Sequence, residues 1–159
     1  MPVVLRHNEK LEVNRVEYHG AVTLQELKDL AAFQAANPAW LTFDCLSFVA
    51  SGADFHAVSL AQLDTLFAEY RALFEPLHFL IMRRSAWLCQ SDAARAHVRY
   101  WIGDRDAKSE MSSDVRQFET YAEAGEWLVL SASGSAALES GEGFVDIVRF
   151  EDRAPALAR

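Results

Sequence analysis

Three consecutive pieces between Trp40 and Met82 decide the fold: WLTFDCLSFV (Trp40–Val49), SLAQLDTLFAEYRALF (Ser59–Phe74) and LHFLIM (Leu77–Met82). The outer two are short, apolar and aromatic, as buried strands are. In the middle piece Leu60, Leu63, Phe67, Tyr70 and Phe74 fall on one helical face. Ser59 followed by Gln62 is a capping-box pattern, and Pro76 stops the helix. Strand, helix, strand in this order predicts a crossover between parallel strands.

Upstream, Pro2–Arg6 and Leu11–His19 read as an antiparallel hairpin around the polar turn His7–Lys10. Leu11 and Val13 share one alternation phase while Val16 and Tyr18 share the other, so a bulge is expected near Asn14-Arg15. Thr23 and Glu26 open a helix with Leu24, Leu27, Leu30 and Ala31 on one face, closed by Asn37-Pro38. Downstream, Ser91-Asp92 opens a helix ending at Gly103. Asp104–Ser113 is a charged loop, Val115–Phe118 a short strand, and Thr120 caps a last helix. The expected architecture is α/β: a single-layer mixed, mainly parallel sheet with an N-terminal antiparallel hairpin and about four helices. Residues 1–130 form the domain. Residues 131–159 read as a Ser/Gly/Ala-rich linker and C-terminal extension, with a strand at 144–150 available to a sheet edge here or in a partner chain.

The 159 residues are 51% hydrophobic and 24% charged, the balance of one folded domain. A net charge of −8 argues against nucleic acid, whose binders neutralise phosphates. The opening Met1–Arg6 has only a short apolar run, and no window approaches the ~20 apolar residues of a membrane span. Cys45 and Cys89 make no disulfide framework, and a cytoplasmic location is expected. His7, His19, His56, His78 and His97 have no ligand-type spacing, and no phosphate-binding glycine loop occurs. No metal or cofactor is expected.

Several residues carry the resemblance to a known family. They are Gly20 followed by Val22-Thr23 and Leu27, then Asp44, then Arg116-Gln117-Phe118 followed by Ala124, Glu126, Trp127 and Leu128. In these the chain resembles small bacterial members of the SpoIIAA-like or STAS-like superfamily over roughly residues 2–130. The resemblance implies a non-enzymatic regulatory or protein-interaction module. In antagonist members a serine before the second helix, in the pattern Asp-Ser-Ser-Gly-Leu, is phosphorylated. Here the segment is Asp54-Phe55-His56-Ala57-Val58-Ser59-Leu60, with Phe55 at the serine position and Ser59 the serine at the helix start.

If the strands at 40–49 and 77–82 are neighbours, their following loops share one rim of the sheet, where ligands of open α/β folds lie. That rim would gather Ser51, Asp54, His56 and Ser59 with Arg83 and Arg84 into an anion or ligand site. Asp54, His56 and Ser59 also have the residue types of a nucleophilic triad, but no G-x-S-x-G elbow accompanies them. Arg83, Arg84, Arg95 and Arg99 against Asp92 form a local basic island. Trp87 and Leu88, in a loop-like stretch, suggest a contact surface. The leading expectation is a regulatory or interaction module with a protein partner, forming a homodimer through its open sheet edge. The alternatives are a carrier of a small apolar or lipid-like ligand, with a pocket lined by Leu63, Phe67 and Phe79, or an enzyme using the Asp54/His56/Arg83 rim.

Overall fold

Six strands form one sheet in the computed structural model, which describes residues 3–80, 83–102 and 113–151. They are β1 (Val3–Asn8), β2 (Val13–Tyr18), β3 (Asp44–Val49), β4 (Arg83–Cys89), β5 (Ser113–Phe118) and β6 (Val145–Phe150). The helices are α1 (Leu24–Ala36), α2 (Leu60–Phe74), α3 (Arg95–Ile102), α4 (Tyr121–Trp127) and α5 (Ala132–Ser140). The strand order is β5-β4-β3-β2-β1-β6, with β2 to β5 parallel and β1 antiparallel to both its neighbours.

Period-two alternation divides the core. Val16, Tyr18, Cys45, Val49, Trp87 and Cys89 pack with α1, α2 and α3 on one face. Val13, Leu46, Phe48, Ala86 and Leu88 pack with α4 and α5 on the other. Each successive crossover from β2 to β5 uses the first face. The α4–α5 pair then carries the chain back beneath the second face, from the β5 edge to β6, a span of about 24 Å at normal strand spacing.

The expected hairpin and the helices capped by Thr23, Ser59 and Thr120 are present. At Ser59 both halves of the capping box form. Strand β2 needs no bulge, because its register runs unbroken from Val3↔Tyr18 to Asn8↔Val13. Its phase switch reflects burial on both faces, every residue of β2 being buried. The irregularity lies instead between Leu5 and Arg6, where β1 meets β6.

Two expectations are corrected. The apolar run Leu77–Met82 is not the next strand: Glu75–Leu80 is a 3₁₀ segment, and the strand is Arg83–Cys89. Pro76, with fixed φ and no N–H, turns the end of α2 into tighter coils rather than extended chain. Ile81 and Met82, and most of the charged loop at 104–113, lie outside the described residues. The Ser/Gly/Ala stretch is not a linker but α5, whose Ser131 Oγ accepts the Gly134 N–H and whose end is closed by Gly141 at φ 79°. The 144–150 segment does form a strand, and it covers the β1 edge of its own chain. The segment thus pairs within its own chain, and the sheet ends on β5 at one edge and β6 at the other.

Candidate functional site at the carboxyl edge of the sheet

Strands β2, β3 and β4 end together at Tyr18, Val49 and Cys89, and the loops that follow build one rim. The loop after β3 is fixed by its own backbone. The Asp54 N–H donates to the Gly20 carbonyl at 2.8 Å, the Val22 N–H to the Asp54 carbonyl at 2.9 Å, and Ala53 N–H to Ala50 at 2.9 Å. The buried Ser91 hydroxyl donates to the Ala53 carbonyl and accepts the Ala94 N–H at 3.1 Å, tying the loop to the start of α3. From α3, His97 Nε2 bonds the Val58 carbonyl at 2.9 Å and its ring lies over Phe55.

On this anchored backbone the polar side chains face outward. Asp54 accepts the His56 N–H at 2.6 Å and also bonds the His56 ring Nδ1. The His56 N–H, followed by the ring, holds the Asp54 carboxyl below its usual range. The His56 side chain is 73% exposed. Ser59 spends its hydroxyl on the Gln62 N–H, and Ser51 stands in solvent. Asp54, His56 and Ser59 thus share one loop, but the hydroxyl serves the helix and no base contacts it.

Arg83 and Arg84 are absent from this rim. They open β4, in register with Asp44, whereas Asp54 and His56 follow Val49 at the other end of β3. Five residues of strand separate the two edges by about 17 Å. The cause is the displaced strand: with β4 starting at Arg83, the arginines precede it rather than follow it. Arg84 pairs with Asp44 at 2.7 Å and donates to the Trp127 carbonyl at 2.7 Å, so it closes the end of α4. Arg83 is buried beside the Cys45 thiol, with Nε and Nη1 lacking hydrogen-bond partners among the described residues. Burial pushes the Cys45 thiol pKa up, against the pull of Arg83. The basic island therefore disperses between two edges. Trp87 and Leu88 are core residues, 8% and 1% exposed, with Trp87 stacked on Tyr18 at 5.7 Å, and no contact surface exists there.

The second face holds features that sequence reading overlooked. Arg15, buried in β2, donates to the Leu138 and Glu139 carbonyls at the end of α5 and lies over the Phe48 ring at 4.9 Å. It joins Glu17, which also meets Arg6 and His19. Outside this layer, a groove of about 640 Å³ runs between α4 and α5, with Tyr121, Glu126, Val129, Leu130, Ala136 and Glu139 in its walls. The signal was present in the charges: no lysine, arginine or histidine lies between Arg116 and Arg149, against six carboxylates. Among the described residues no group of three potential metal ligands gathers. No helix among them is long and apolar enough to cross a membrane. No protein-family model, curated protein or solved structure matches the chain.

Proposed function

We propose that the chain is a regulatory interaction module of the SpoIIAA-like or STAS-like type, which docks a protein partner through residues 51–60 and performs no chemistry itself. The carrying observation is the contrast within that loop. Its backbone is tied to β2, α1 and α3 surroundings by the bonds above, while Ser51, His56, Ser59 and Leu60 project into solvent, Leu60 at 45% exposure. A surface fixed before binding loses little entropy when it docks. The order of hairpin followed by successive parallel crossovers supports the same family reading.

The other two readings have less behind them. Leu63 and Phe67 are 0% and 2% exposed, packed against the sheet and Trp101, so they fill the volume a carried ligand would need. The Phe79 side chain lies outside the described side chains. The enzyme reading required Arg83 beside Asp54 and His56, and the sheet separates them.

The test compares the tagged chain isolated from its native cells with His56→Glu and Leu60→Asp variants. A stoichiometric protein retained by the wild type and lost by both variants, at unchanged thermal midpoint, is expected. A co-isolated lipid, or a partner that ignores both substitutions, overturns the proposal.

A further inference from the structure

The α4–α5 groove lies on the face of the sheet opposite α2, and an inference from it stands independently of the loop-edge reading. We infer that this groove receives a basic amphipathic helix of a partner protein, its apolar side between α4 and α5 and its lysines or arginines on Glu126 and Glu139.

The groove is an open trough of about 640 Å³ whose lining is more apolar than polar. Small side chains make it. Gly125 lies so close to Ser135 that a Cβ there would stand 2.0 Å from the serine Oγ. Ala132 and Ala136 line the α5 wall, leaving room for a third helix to approach. Val129, at the turn between the two helices, holds its isopropyl group 75% exposed at the mouth. Helix-in-groove docking needs such an apolar trough.

Charge selects the occupant. Glu126 and Glu139 are exposed, and among the described residues neither has an ion-pair partner. Each sits in the last turn of its helix, where a carboxylate opposes the helix dipole and a lysine would be favoured; neither helix has a base there. Carboxylates placed against local stability, at the two ends of an apolar trough, in a segment with no compensating side-chain cation from residue 117 to 148, fit a cationic partner. Arg15 and Arg84 lie beneath the helices and are committed to carbonyls, so they do not answer these charges.

The experiment titrates the full chain by calorimetry with a synthetic Lys/Leu/Ala amphipathic helix of about five turns, and with a scrambled peptide of equal composition. Binding is expected for the patterned peptide only, weakened roughly tenfold in Glu126→Lys/Glu139→Lys and by rising salt. A charge-matched Glu69→Lys/Glu75→Lys variant on the opposite side is expected to bind as the wild type does. The Glu126/Glu139 variant should keep or raise its thermal midpoint, since the dipole conflict is removed. Equal binding of the scrambled peptide, equal loss in the control variant, no binding at all, or a lowered midpoint in the groove variant each overturns the inference. His56→Glu leaves this titration untouched, so the loop-edge reading and this one fail on separate measurements.

Discussion

Val129 has φ 61° with a branched side chain three-quarters exposed. A left-handed conformation costs an L-residue about 1–2 kcal/mol, and glycine avoids the penalty. Val129→Gly is therefore expected to stabilise the chain by about 1 kcal/mol in urea unfolding, because almost no burial is lost. A second residue governs acid sensitivity. Hydrogen bonds from Arg6 and then Arg149 hold the Asp146 carboxyl below its usual 3.8. A depressed carboxylate contributes stability above its unfolded pKa and loses it as pH falls through the folded one. Asp146→Asn should lower the urea midpoint at neutral pH, with the gap to wild type closing only below about pH 3.8. A gap that persists unchanged into strong acid would show that the ion pairs are not its origin. At this scale the sequence was legible where side chains serve the backbone: Thr23, Ser59 and Thr120 all cap as their spacing indicates. Arg15 and Arg84 were not legible, because their partners are main-chain carbonyls on helices about 40 or more than 120 residues away.

Helices α4 and α5 illustrate how composition misleads for an element. Residues 131–143 are rich in serine, glycine and alanine, and flexible linkers share that composition. Yet the same residues are boundary signals when placed at helix ends, Ser131 as N-cap and Gly141 as the left-handed stop. Their small volume is also what the close α4–α5 crossing demands. Ser131→Ala should cost about 1 kcal/mol, the usual worth of an N-cap. Gly125→Ala is expected to cost more, about 1–3 kcal/mol, since Ser135 must move and its backbone Cα lies only 3.3 Å from the new Cβ. Chemical denaturation of both variants checks the ranking. The β4 displacement has a different source. LHFLIM is the more apolar run, but RRSAWLC alternates so that Arg83, Ser85, Trp87 and Cys89 face α2 while Arg84, Ala86 and Leu88 face α4. A strand buried on both faces hides its period behind two leading arginines, of which Arg84 meets its partners Asp44 and Trp127 only in the folded sheet.

Across the whole molecule, the fold class was readable because each crossover carries its own start and stop. The strand order was not readable: the sequence offered only the hairpin and the parallel neighbours after Trp40, the second of which lies at Arg83–Cys89 rather than Leu77–Met82. What places β6 against β1 is pairing between residues at opposite ends of the sequence, Val3↔Phe150 and His7↔Val145, which no local pattern specifies. Removing residues 144–159 should uncover β1, whose Val3, Val4 and Leu5 are buried, and expose an apolar sheet edge. Sedimentation of the shortened chain is expected to show association or precipitation where the full chain at the same concentration shows neither. A truncated chain that stays folded and dispersed would mean that β6 is dispensable.

The pairing of β1 with β6 also bears on folding kinetics. Roughly 140 residues must be traversed before the last ladder closes, the kind of long-range contact that slows folding. Until Phe150 has been made, β1 has a partner on one side only. Without β6 the sheet would hold five strands with β1 paired on β2 alone, so the closing ladder is also the one that joins the most distant described strands.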